Sequence, residues 1–323
     1  MSVTIPAVQI TPQLVERLIG RQDPSDSTGW PPGWNVARRK ASHGHRNNEN
    51  AGVGWTAKSL TPRPEGGETS PVLRSRFILL GASNVAIAFP RLLEALRGRA
   101  GERVEVMGAF GHGRSYGLPS RVLGRELPGI RECDLWAALE ALPRAPSRAI
   151  LTDVGNDLLF GASVATLVGW VEECLDRLAA AGARTVLVLP PMASVERLPA
   201  WRYTLIRSLL FPGNRDSLGD TVARLRELRW QLQRLAEKRQ LEIRDVQGSW
   251  FGLDPIHVRP LAQRRAWAEL LEGWAEGADF PWPGWLPALR SCRLAPAHRR
   301  LWGRLRTCPQ PHSLPDGCRV FLY

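Results

Sequence analysis

A chain of 323 residues with 44% hydrophobic content can form one large domain or two small ones, and it carries enough apolar side chains for a sizeable core. The formal charge of +12 rests on arginine, since Lys40, Lys58 and Lys238 are the only lysines. Through the middle of the chain the arginines are interleaved with Glu and Asp, which argues against a nucleic-acid-binding stripe; only the C-terminal segment hints at one. Cys133, Cys174, Cys292, Cys308 and Cys318 are odd in number and form no Cys-x-x-Cys pair, so neither a disulfide framework nor a zinc site is indicated. Residues 1–20 do not read as a signal peptide, and no window approaches the roughly 18 apolar residues of a membrane span, so a cytoplasmic protein is expected.

Residues 1–72 offer one short helical pattern, at 12–19, followed by a run rich in Gly, Pro, Asn, Ser and Arg. Such a segment buries too little apolar surface to offset its ordering entropy and is expected to be a disordered leader. The texture then changes, and a domain is expected over residues 73–277. Strands are expected at 77–80, 104–107, 149–152, 185–189 and 241–245; they are short, and the first four are nearly all apolar, as strands covered on both faces should be. Helical patterns lie at 85–97, 134–142, 164–181, 218–239 and 261–274. In the third of these, Leu167, Val171, Leu175 and Leu178 make one apolar face, with Glu172, Glu173 and Asp176 on the other.

This alternation predicts an α/β fold with right-handed crossovers and a parallel sheet between two helical layers. Ligands in such sheets bind beyond the carboxyl ends of the strands. After Trp274 the pattern stops, and residues 278–323 form an extension rich in Pro, Trp and Arg. Two readings of it stay open: a solvated segment packing back on the domain, or a surface that attaches to an anionic membrane.

Four short pieces carry chemistry, each just after a predicted strand: Gly81-Ala82-Ser83-Asn84, Gly111-His112-Gly113-Arg114-Ser115, Gly155-Asn156-Asp157 and Asp254-Pro255-Ile256-His257. Ser83 stands at a sharp exit from the first strand, either as a nucleophile or as a helix cap. The glycines of the second piece let a backbone N–H approach an oxyanion closely, or form a plain turn; their G-x-G-x-x-x-G spacing does not fit a dinucleotide-binding loop. Asn156 can aim its side-chain amide at the same oxyanion. Asp153 and Asp157 read as loop or helix-capping carboxylates. His112 and His257 are the two candidate bases, and only His257 has a carboxylate, Asp254, at a spacing that can fix its tautomer.

These pieces, in this order over residues 74–277, resemble the SGNH hydrolases, or GDSL-like esterases and lipases. The resemblance implies a flavodoxin-like three-layer α/β/α sandwich with strand order 2-1-3-4-5. It also implies hydrolysis of a carboxylic ester through an acyl-enzyme on Ser83. Carried over by position, His257 is the base, Asp254 orients it, and Ser83, Gly113 and Asn156 form the oxyanion hole. Gly111 and Gly117 are rival donors to Gly113. No metal or organic cofactor is implied, and the partner is a small-molecule ester. The chain departs from the family at Ala82, where the first block usually carries Asp, so a local hydrogen-bonding carboxylate is missing.

Two other functions are weighed. A non-catalytic binding protein on the same scaffold, suggested by Ala82 and the arginine-rich tail, would hold Ser83 and His257 too far apart to couple. A short-chain dehydrogenase would need Tyr-x-x-x-Lys, and the nearest candidate, Tyr203, has Arg207 at the lysine position. The loop over 190–219, with Met192, Trp201, Tyr203 and Phe211, is long enough to form a lid or acyl pocket, which Trp250 and Phe251 would help to line.

Overall fold

Strands of five or six residues without an exposed face are stable only when both faces are covered, and the chain meets that condition with a three-layer α/β/α arrangement. The computed structural model describes residues 75–100, 104–122, 124–211, 213–274, 282–284 and 294–323. The leader expected over 1–72 lies outside the described residues. The central strands are β1 (Ser75–Leu80), β2 (Val104–Ala109), β5 (Ser147–Leu151), β6 (Ala183–Val188) and β7 (Glu242–Arg244). All of them pair in parallel, in the order β2-β1-β5-β6-β7. Numbered among themselves, these strands run 2-1-3-4-5.

Side chains alternate across the sheet as the strand period requires. Ile78, Leu80, Met107 and Leu151 face helices α2 (Leu135–Ala141), α4 (Val164–Ala180) and α7 (Leu218–Arg239). Phe77, Leu79, Val106 and Ile150 face α1 (Ser83–Ala100) and α8 (Gln263–Leu270). A capping box in which Ser217 and Asp220 satisfy each other's backbone N–H starts α7. The short α3 (Asn156–Leu159) follows β5. The connection over 190–219 is not an open lid: it folds into α5 (Met192–Glu196) and α6 (Ala200–Leu210). The helix expected over 261–274 is confined to 263–270 because turns flank it, with Gly273 at φ 74° on the C-terminal side.

The sheet is wider than the alternation predicts. Residues of the C-terminal extension supply β10 (His312–Ser313) and β11 (Arg319–Leu322), and β11 adds in parallel to the free edge of β2. The pairing register places Glu105 between Arg76 and Arg319, and Glu105 forms ion pairs with both. This charged row fixes the register of the added strand, because a slip would leave a buried charge unpaired. A second, antiparallel sheet joins β3 (Ser120–Val122), β4 (Arg125–Leu127), β8 (His298–Leu301) and β9 (Arg304–Thr307) in that order. Its first hairpin follows directly on the second chemical piece. No helix of the described residues is long and apolar enough to cross a membrane.

Candidate active site

Ser83, the 111–113 loop, Asn156 and His257 all lie beyond the carboxyl ends of central strands: at the first residue of α1, in the β2-β3 connection, at the first residue of α3 and in the β7-α8 connection respectively. The first connection is tight. A Cβ on Gly81 would stand 2.7 Å from Val85 Cγ2 and 2.8 Å from Thr152 Cγ2, so only glycine lets the chain turn here. Ser83 opens α1 and is 4% exposed.

The hydroxyl Oγ of Ser83 lies 2.7 Å from His257 Nε2, and His257 Nδ1 lies 2.5 Å from Asp254 Oδ2. The carboxylate contact places the ring proton on Nδ1 and leaves Nε2 to accept from the serine. The Asp254 Oδ1 atom accepts from the backbone N–H groups of Ile256 and His257, so the Asp-Pro-Ile-His piece closes on itself as one turn. Burial alone would lower the pKa of His257, but the hydrogen bond and charge of Asp254, with the charge of Asp153 behind them, hold it above the ordinary histidine value. Burial works against ionised Asp254 too, and its contacts with His257 outweigh it, holding the carboxyl below its usual range.

Two residues organise this cluster: Asp153, expected from the sequence as a loop or helix-capping carboxylate, and Asn84, to which the sequence assigned no role. Asp153 leaves β5 with φ 60°, a conformation Asp tolerates better than most residues. Its Oδ2 accepts from the backbone N–H groups of Ala82 (2.8 Å) and Asn84 (3.2 Å), and its Oδ1 accepts from the Asn84 side chain (2.7 Å). A carboxylate from the neighbouring strand thus caps the start of α1, where Ser83 would otherwise do so. The serine hydroxyl is left for His257. Burial raises the pKa of Asp153, opposed by these hydrogen bonds and by the charge of His257.

Asn84 is the second. Its Nδ2 donates to the carbonyl of Ile256 (3.0 Å) and its Oδ1 accepts from the N–H of Val258 (2.9 Å), gripping the chain on both sides of His257. Ser194 Oγ donates to the Pro255 carbonyl at 2.9 Å and steadies the same turn. The signal for Asp153 was in the strand order. Leu80 pairs with Leu151, so the residues just beyond them meet, and an acid at 153 stands where the piece with Ala82 has none.

In the glycine loop, Gly113 has φ 63° and a Cβ there would lie 2.7 Å from Val122 Cγ2. The N–H of Gly117 donates to Ser115 Oγ at 3.1 Å, and a Cβ on Gly117 would lie 2.2 Å from the Trp170 ring, so that glycine is committed to packing. Asp157 is fully buried and accepts from the Ser115 hydroxyl and from the Tyr116 N–H at 3.2 Å; burial raises its carboxyl to about 6. Arg114, also fully buried, donates to the carbonyls of Pro128 (3.2 Å) and Tyr323 and so ties the loop to the end of β11.

Asn156 lines a cavity of about 80 Å³ together with Asn84, Asp153, Pro190, Ile256 and the apolar Leu225. Among the aromatics nominated for a pocket only Phe251 lines it; Trp250 is core, Tyr203 hydrogen-bonds Thr221, and Trp201 is 70% exposed. The described residues contain no group of three His, Cys, Asp or Glu side chains placed to hold a metal ion.

No protein-family model and no curated protein matches the chain. Solved structures similar to it include a carbohydrate acetylesterase family member from Sinorhizobium meliloti, at 16% identity over 61% of this chain and 95% of that one, with a TM-score of 0.43. The native aryl esterase of M. smegmatis matches at 16% identity over 59% of this chain and 94% of that one, with a TM-score of 0.41. A GDSL-like lipase from Bacteroides thetaiotaomicron matches at 10% identity over 61% and 85%, with a TM-score of 0.39. In its five central parallel strands, in the order 2-1-3-4-5, and in its helical layers on both faces, the chain has a three-layer α/β/α fold with the four chemical pieces beyond the carboxyl ends of the strands.

Proposed function

We propose that this protein is a serine hydrolase that cleaves a carboxylic ester of a small molecule through an acyl-enzyme on Ser83. The observation that carries the reading is the continuous line from Ser83 Oγ through His257 to Asp254, with steps of 2.7 and 2.5 Å. In this mechanism neutral His257 takes the hydroxyl proton as Oγ attacks the ester carbonyl, and Asp254 holds the imidazolium that forms. The oxyanion is received by the N–H groups of Ser83 and Gly113 and by the amide of Asn156. His257 then protonates the departing alcohol, and a water activated by the same ring releases the acid. The cavity beside Asn156 is the proposed seat of a short acyl chain. The non-catalytic alternative requires Ser83 and His257 to be uncoupled, and their separation counts against it.

The test is direct. The purified protein should hydrolyse short p-nitrophenyl esters and be labelled by a fluorophosphonate at Ser83. Absence of turnover across a broad ester panel, together with absence of labelling, would reject the reading.

The pH dependence follows from the histidine. Only neutral His257 can accept the serine proton, and Asp254 holds its pKa above the ordinary value of about 6.5. Activity should therefore rise with pH with a midpoint above ~6.5. Asp254→Asn removes the charge that raises the pKa, so the midpoint should fall and kcat should drop by about 10² to 10⁴-fold. A kcat/KM profile for both proteins checks this, and an unmoved midpoint contradicts the assignment of Asp254.

A further inference from the structure

Register places an uncompensated block of arginines against the glycine loop of the site. In the second sheet Val122 pairs with Arg125, Arg125 with Leu301, Leu301 with Arg304, and Arg299 with Arg306. Directly paired residues share a face and faces alternate along a strand, so Arg125, Arg299, Arg304 and Arg306 stand on one face, with Arg125 and Arg299 as diagonal neighbours across β4 and β8.

That face is turned to the 111–113 loop. Arg125 Nη2 lies 3.2 Å and Leu127 Cδ1 lies 2.6 Å from where a Cβ on Gly111 would stand, and Val122 from the same face meets Gly113. The opposite face behaves differently: Arg121 pairs with Glu126 at 3.3 Å, and His298 with Asp134 at 2.6 Å.

None of Arg125, Arg299, Arg304 and Arg306 has a carboxylate partner among the described residues, although Arg125 and Arg299 are half-buried, Arg304 and Arg306 being exposed; Arg76, by contrast, is paired with Glu105, and Arg239 with Glu172 and Asp176. Burial and then the nearby charge of Arg299 both lower the pKa of Arg125, which marks a partly desolvated cation facing another cation. The pKa of His112 is lowered by burial and then by the charges of Arg125 and His257. Holding the half-buried cations Arg125 and Arg299 as neighbours carries a cost unless an anion completes them.

We propose that the ester taken by this site carries an anionic group, such as a carboxylate, phosphate or sulfate, which Arg125 and Arg299 hold beside the glycine loop while the ester carbonyl reaches Ser83. The inference rests on the esterase reading and adds the charge of its substrate. It also gives the site two unlike flanks, a mostly apolar cavity on the Asn156 side and cations on the Gly113 side.

The experiment uses matched esters on the full chain. 4-Nitrophenyl hemisuccinate and 4-nitrophenyl butyrate differ by a carboxylate in place of a methyl on the acyl side; 4-acetoxybenzoate and phenyl acetate differ by a carboxylate on the leaving group. In one pair the anionic member should show a kcat/KM about tenfold or more above the neutral one, and the winning pair tells which side carries the charge. The ratio should shrink at about 0.5 M NaCl, where charges are screened. In Arg125→Gln/Arg299→Gln, with folding checked by thermal melting, the ratio should fall toward one.

Hydrolysis of the neutral esters with no preference in either pair overturns this proposal alone. Failure to hydrolyse any of the esters overturns the esterase reading beneath it. Arginine-dependent binding to phosphatidylglycerol vesicles without an anionic preference assigns the face to a lipid surface and also overturns it.

Discussion

Ser83→Ala is expected to lower kcat/KM on p-nitrophenyl acetate by about 10³- to 10⁶-fold while leaving the thermal melt close to that of the wild type. The expected chemical cost is large because the 2.7 Å contact joins the proposed attacking atom to its proposed base, and no other described hydroxyl is bonded to His257. The structural cost is small because helix capping at this position does not depend on the serine: Asp153 already accepts from the N–H groups of Ala82 and Asn84. His257→Ala should lose a similar factor, and Ser83→Ala/His257→Ala should be no slower than either single variant. Groups that act in one step contribute once, so their losses do not multiply. Multiplying losses in the double variant, or a Ser83→Ala protein retaining more than about a tenth of wild-type activity, would contradict a serine-histidine mechanism.

Much of this frame was legible in the sequence for physical reasons. The first four central strands are short and mostly apolar, so each stands out from its surroundings; β7, Glu242–Arg244, carries two charges. Helix α7 was legible to its boundaries because its apolar face runs unbroken and Ser217 with Asp220 marks its start. The proposed site residues could be picked out as a set because a parallel sheet brings the carboxyl ends of its strands to one rim.

What was not legible depends on contacts between distant segments. The run Val320-Phe321-Leu322 is only three residues long inside an arginine- and proline-rich tail, and it becomes a strand because the edge of β2 is free to receive it. The arginine face of the second sheet exists only through pairings that join residues near 125 to residues near 300. Asn84 and Asp153 act across 69 residues of sequence, and Asn84 and Val258 across 174, so no local spacing reports them.

The departure at Ala82 can be tested through Asp153. Its carboxylate receives three hydrogen bonds at the junction of the Ser83 turn and β5. A hydrogen bond to a charged group contributes about 1.5–3 kcal/mol, and removing the acceptor leaves sheltered N–H groups without partners. Asp153→Ala should therefore destabilise the fold by about 3–5 kcal/mol, allowing for water entering the gap. Because Asn84 also grips the chain on both sides of His257, loosening it should displace the ring from Ser83, and an error near 1 Å there costs about 10²-fold in kcat.

Two further readouts separate this role from simple loss of packing. The charge of Asp153 helps to raise the pKa of His257, so its removal should move the acid limb of the activity profile to lower pH; the loss of a negative charge favours the neutral ring. Asp153→Asn keeps a residue that tolerates positive φ and retains one acceptor, yet it turns an NH2 toward the Asn84 amide, so it should fall between wild type and Asp153→Ala.

The strongest test places a carboxylate at position 82, where the SGNH hydrolases that the sequence resembles usually carry one. Ala82→Asp alone adds a second sheltered acid beside Asp153 and should destabilise by like-charge repulsion. Combined with Asp153→Ala it should recover part of the lost stability and kcat, giving a coupling energy of about 1–3 kcal/mol between the two positions. Additive losses in that cycle would mean that Asp153 does not stand in for the acid absent at Ala82.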